Sequence, residues 1–183
     1  RTQVGVKEVT ADSVILSTGE VLKSNLTQLM PPFIGVDFVQ NSPSLTPTAN
    51  EYIPVEDTYQ HKQIKNVWAA GIAVQVDLPF TCKNIPFAAP KTGYPSDETG
   101  KIVAENIVRL AKGNTNLKHK AWGKIPGLCI MDAGKKEVII FSNHLFKPRT
   151  FAIMIPNVIY DFNKVILEKY FLWKSRKGYA FLP

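Results

Sequence analysis

Short apolar runs separated by turn residues fill the first part of the chain. Val4-Gly5-Val6, Ser13-Val14-Ile15-Leu16 and Glu20-Val21-Leu22 are such runs, with Gly19 in a turn before the third. They predict a β-meander over residues 3–23. Leu26 to Val36 is apolar but carries Pro31-Pro32, which would interrupt any helix. Residues 40–50 are polar and proline-containing and read as a linker. Val67-Trp68-Ala69-Ala70-Gly71-Ile72-Ala73-Val74 reads as a buried strand running into a glycine turn. A loop from Gln75 to Tyr94 follows, with Pro79, Pro86 and Pro90. Pro95-Ser96-Asp97-Glu98 then opens a helix, with Ser96 as the expected N-cap and two acids suited to the positive end of the dipole. Val103, Ile107, Leu110 and Ala111 share one apolar face, and Lys112-Gly113-Asn114 supplies a cation and a glycine for the end.

The last third reads as a separate unit. Leu128-Cys129-Ile130, Val138-Ile139-Ile140-Phe141 and Phe151-Ala152-Ile153-Met154-Ile155 predict strands, with Gly134-Lys135-Lys136 turning between the first two. From Val158 to Lys177 the pattern becomes helical. Ile159, Phe162, Ile166, Tyr170 and Trp173 recur at helical spacing. No internal repeat is present. The expected class is α/β, or α+β for these residues taken alone.

Composition narrows the function classes. The 183 residues are 45% hydrophobic and 20% charged, enough apolar surface for a sizeable core, which excludes a disordered tail. Twenty-two Lys and Arg against 15 Asp and Glu leave a net charge of +7. That surplus does not by itself argue for nucleic acid, which is not an expected partner, and fits an anionic membrane surface equally well. Cys82 and Cys129 are far apart, with no CxxC pair, so a disulfide scaffold and a Cys-rich zinc site are excluded. His61, His119 and His144 are scattered, and no metal site is expected. No uncharged stretch runs beyond about a dozen residues, against roughly 20 needed to span a bilayer. No signal peptide follows Arg1, and the sequon Asn25-Leu26-Thr27 is read as chance.

Three places carry candidate chemistry. A strand ending in Ala70-Gly71 lets backbone come close to a bound group, because glycine lacks a Cβ; an ordinary tight turn has the same pattern. Pro90-Lys91-Thr92-Gly93-Tyr94 leads straight into a helix, whose free N–H groups and partial positive charge, with Lys91 added, would hold an anion or an electron-rich ring edge. A plain loop-to-helix junction with a solvated Lys91 is the alternative. In residues 155–183, five Lys or Arg face Asp161 and Glu168, among Tyr160, Phe162, Tyr170, Phe171, Trp173, Tyr179 and Phe181. Basic and aromatic residues on an amphipathic helix suit a bilayer interface. A core-packing helix or a contact between copies shares the pattern.

Together these segments carry a family resemblance. Val67–Val74, the proline-rich loop and Pro90–Tyr94 with its helix resemble the sulfide:quinone oxidoreductases, flavoproteins of the pyridine nucleotide-disulfide oxidoreductase superfamily. Gly127-Leu128-Cys129-Ile130-Met131-Asp132-Ala133-Gly134 is similar to that family's segment around a redox cysteine, and Glu168-Lys169-Tyr170-Phe171-Leu172-Trp173-Lys174 to its membrane-facing C-terminal helix. The likeness covers nearly all of the chain, in the same order and spacing. No GxGxxG flavin motif is present, so the resemblance implies the C-terminal portion of a two-dinucleotide-domain flavoprotein. Residues 1–45 would end the second, NAD-like domain; residues 46–115 would be the C-terminal half of the FAD domain; residues 116–183 would form a C-terminal redox and membrane-facing domain of strands and an amphipathic helix.

The resemblance implies roles for individual residues. Gly71, Ile72, Lys91, Thr92 and Gly93 would contact FAD. Cys129 would be one of two cysteines that hold sulfur while electrons pass to FAD, its partner lying outside this chain; spacing alone favours a small buried hydrophobe in a strand, and the resemblance reverses that balance. Leu128, Tyr170 and Phe171 would sandwich a quinone. Cys82 matches no motif and is read as structural or incidental. Two departures stand out: Ile72 occupies a place where most of the superfamily has aspartate, which favours the sulfide:quinone branch, and Pro95 stands where methionine is common. The implied parent oxidises sulfide to polysulfur and reduces membrane quinone as a monotopic protein of a bacterial or archaeal inner membrane, with self-association left open. These residues alone would bind little FAD and turn nothing over. Competing readings are a type II NADH:quinone dehydrogenase, a flavocytochrome sulfide dehydrogenase, and a non-catalytic membrane-docking or oligomerisation module.

Overall fold

A computed structural model of the chain describes residues 1–30, 33–46, 52–79, 89, 92–132, 137–157 and 160–182. Cys82, Lys91, Pro31-Pro32 and the Gly134-Lys135-Lys136 turn lie outside the described residues. The fold is mixed α/β, with two small antiparallel sheets and a C-terminal helix.

The chain packs as two units, Arg1–Glu51 with Val76–Pro90, and Tyr52–Gln75 with Lys91–Pro183. The first carries the meander, β1 (Val6–Val9), β2 (Ser13–Leu16) and β3 (Val21–Lys23), in sheet order 1-2-3. β1 begins two residues later than the Val4-Gly5-Val6 run suggested. Gly19 closes the second hairpin at φ +86°, where a side chain would be strained. A short helix, α1 (Asp37–Gln40), follows and buries Val39.

The second unit holds most of the candidate chemistry. Its long helix, α2 (Gly93–Ala111), starts earlier than predicted. Thr92, not Ser96, is the N-cap, and the Ser96 hydroxyl donates to the Thr92 carbonyl, 3.0 Å away. Pro95 tolerates this because its missing N–H falls in the first turn, where no intrahelical partner exists. The buried stripe of α2 also differs from the predicted one. Pro95, Thr99, Ile102 and Asn106 face inward, whereas Ile107 and Leu110 are exposed. Hydrogen bonding to backbone decides this. The Asn106 amide donates to the carbonyls of Thr58 and Lys118 and accepts from the Lys118 N–H, fastening the helix to two loops. The helix ends as predicted at Lys112, with Gly113 at φ +75°.

Residues 67–74 are not a continuous strand. Gln60 bridges to Trp68 and Ile53 to Val74, while Gly71–Ala73 forms a 3₁₀ turn. Gly71 sits at φ +66°, outside the β region, and Pro54 lacks the N–H a ladder would need, so pairing cannot propagate. The core around them includes Ile53, Tyr59, Ala69, Val74, Ile102, Trp122 and Ile125. His61 is fully buried, and its Nδ1 accepts the N–H groups of Gln63 and Ile64, both at 3.0 Å, so the ring serves the fold and leaves its proton on Nε2.

Three strands then form the second sheet: β4 (Gly127–Asp132), β5 (Glu137–Ser142) and β6 (Ala152–Asn157), in order 4-5-6. All three were predicted within two residues at each end. Pro156 is tolerated in β6 because that strand is an edge. Helix α3 (Tyr160–Arg176) ends the unit. No helix among the described residues is long and apolar enough to cross a membrane.

Candidate functional site

Gly71 approaches the protein itself rather than open space. Its N–H donates to Thr99 Oγ1 at 2.8 Å, and a Cβ added to it would lie 2.9 Å from Ser96 Oγ. Thr99 in turn donates to the Pro95 carbonyl at 2.9 Å. The turn therefore locks onto the first turns of α2. Its amide is already used, and Ile72, 50% exposed beside it, is what the turn presents outward.

The start of α2 is open. Gly93 is exposed, and an added Cβ there would meet nothing within 4 Å. Gly93 and Tyr94 carry first-turn N–H groups that an α-helix leaves without an internal partner, and Pro95 contributes none. The Thr92 side chain makes no capping bond. These features fit the edge of an anionic or electron-rich group, as FAD would present. Burial, with Glu98 nearby, pushes the Tyr94 hydroxyl above its ordinary range, so it stays protonated there.

Strand alternation separates two neighbours on β4. In this sheet Leu128 pairs with Phe141 and Cys129 with Ile140, so the two side chains stand on opposite faces. Glu137 shares parity with Phe141 and hence the face of Leu128. Lys164 of α3 donates to Glu137 Oε1 at 2.9 Å, which puts the helix on that face. Cys129 is a free, exposed thiol on the other. Leu128 is 41% exposed. The sheet therefore presents a thiol on one side and, on the other, a partly exposed apolar surface with α3 fastened at Glu137.

On α3, Tyr170 and Phe171 pack edge to face at 5.8 Å. The ammonium of Lys174 lies 4.5 Å from the Phe171 ring and 5.9 Å from that of Tyr170, a cation–π arrangement. Lys174 itself is buried and donates to the Leu182 carbonyl at 3.1 Å. It is thus an internal fastening rather than part of a solvated basic side. Phe162, Ile166 and Trp173, the apolar stripe of the sequence pattern, are exposed. Residues that the pattern did not single out are Glu137, Lys164, Thr99 and Asn106. A lone glutamate opening an otherwise apolar strand was the one available signal. Among the described residues, no three His, Cys, Asp or Glu side chains come together as metal ligands.

No protein-family model matches the chain. It is 30% identical over 181 residues, 96% of its length, to the sulfide-quinone reductase of Aquifex aeolicus. The X-ray structure of the sulfide:quinone oxidoreductase from that bacterium superposes with a TM-score of 0.85 and 28% identity, again over 96% of the chain. In both comparisons the chain spans 41% of the relative. Over 96% of its length the chain is thus similar, in sequence and in fold, to a C-terminal part of a sulfide:quinone reductase.

Proposed function

We propose that this chain is part of a flavoprotein that oxidises sulfide to polysulfur and passes the electrons to a membrane quinone. The observation that carries the reading is Cys129, a free and exposed thiol on β4 in a chain that aligns with a sulfide-quinone reductase over 96% of its length. FAD, when bound, supplies the two-electron relay between sulfur and quinone. The chain's own residues do the rest. The N–H groups of Gly93 and Tyr94, together with Thr92, Lys91, Ile72 and the turn at Gly71, receive the flavin edge. Cys129 holds sulfur as it loses two electrons, since a thiolate both attacks and carries sulfur atoms. On the opposite face Leu128, Tyr170 and Phe171 hold the quinone ring, which takes up two electrons and two protons.

The exposed stripe of α3, Phe162, Ile166 and Trp173, supports seating this face at the bilayer interface, where a lipid quinone is available. Flotation with anionic vesicles at low salt checks this part, and protein that stays unbound would remove it. The sulfur role of Cys129 is tested in the full-length flavoprotein. Cys129→Ser should abolish sulfide-dependent bleaching of the flavin while leaving its content intact. Bleaching at the wild-type rate would sink the role.

A further inference from the structure

We propose that Glu137 is a positioning residue for the quinone pocket, acting through Lys164 to set where α3 lies over the sheet; the inference rests on the functional reading just given. The Glu137 side chain is 1% exposed. One carboxylate oxygen accepts from Lys164 Nζ at 2.9 Å, and the other is buried with no hydrogen-bond partner among the described residues. A half-satisfied buried carboxylate is costly, and an apolar residue of similar size would stabilise the strand better. The pair therefore needs an explanation other than stability.

The helix supplies one. α3 is fastened at two lysines, Lys164 to Glu137 and Lys174 to the Leu182 carbonyl and, at 3.8 Å, to Asp97. Ten residues of helix separate them, about 15 Å. Between these anchors the side chains are mostly exposed: Leu167 stands at 36% and Phe171 at 45%, and only Tyr170 is half-buried. Apolar packing contributes little to locating this stretch, and the Lys164–Glu137 pair is a charged contact at a buried carboxylate that does so. Glu137 lies on the Leu128 face of the sheet, hence the Lys164 bond fixes Tyr170 and Phe171 relative to Leu128. A flat ring held between them is sensitive to that spacing.

The test uses the full-length flavoprotein with two independent half-reactions. Sulfide is mixed with oxidised enzyme, and a short-chain quinone is separately mixed with enzyme whose flavin was reduced by light. Glu137→Gln should leave sulfide-driven bleaching unchanged and raise the quinone concentration for half-maximal reoxidation roughly ten- to a hundredfold, the sensitivity expected of a misplaced binding element. Lys164→Gln, on the exposed side of the pair, should do the same if Glu137→Gln fails to fold. The double variant should be no worse than either single one, because both remove one interaction. Unchanged quinone dependence in a folded variant, or equal losses in both half-reactions, would overturn the inference alone. Wild-type enzyme that quinone cannot reoxidise would overturn the quinone reading and this inference with it.

Discussion

Gly71 meets two constraints at once. It takes up φ +66°, and its α-carbon lies against Ser96. Gly71→Ala should therefore lower stability by about 1–3 kcal/mol, the usual cost of a side chain in that region with a contact to relieve. Urea unfolding of the variant measures this, and an unchanged midpoint would contradict the packing described. At this scale the sequence was informative about type and less so about purpose. A glycine after a hydrophobic run marked a close approach, but nothing in the run told a ligand from a helix, and the neighbour is Ser96, 25 positions on. Cys129 shows the converse. Spacing alone left it as a buried strand residue, yet it is exposed, because β4 has both faces partly open. Glu137 is not marked in the sequence, because its ion-pair partner Lys164 comes from a different element.

Elements were legible where local chemistry decides them. The strands of the second sheet and the end of α2 followed from β-branched runs and a glycine stop. The start and inner face of α2 did not, because tertiary hydrogen bonds from Thr99 and Asn106 outweigh the apolar stripe of Val103, Ile107 and Leu110. The same helix makes a pH prediction. Lys118 and Arg109 hold the Glu105 carboxylate below its ordinary range through hydrogen bonds and charge. Its folded value lies under an unfolded value of about 4.3, so its contribution is complete above that pH and is lost as pH falls through the folded value. Glu105→Gln should flatten the acid limb of stability without altering its trend between about pH 6 and 8. Urea midpoints across this range test it, and an unchanged acid limb would remove Glu105 from the account.

For the whole molecule, the pattern of apolar residues separates surface from core poorly. Leu26, Met30, Phe33, Ile34 and Phe38 stand largely exposed in the first unit, Leu26 at 90%. Hydrophobicity says that such residues are suited to burial, not what would cover them. On the proposed reading the rest of a longer flavoprotein does so, since the chain spans 41% of its relative. The family resemblance was readable because four motifs keep their order, whereas the division into three domains concerns the parent and remains a proposal. The most direct measurement mixes the full-length protein anaerobically with sulfide, and separately with NADH, while the visible absorbance of the flavin is followed. The account predicts bleaching by sulfide and recovery on adding a quinone. Bleaching by NADH with no response to sulfide would contradict it, moving the protein to the NADH dehydrogenases and leaving Cys129 without a part in the chemistry.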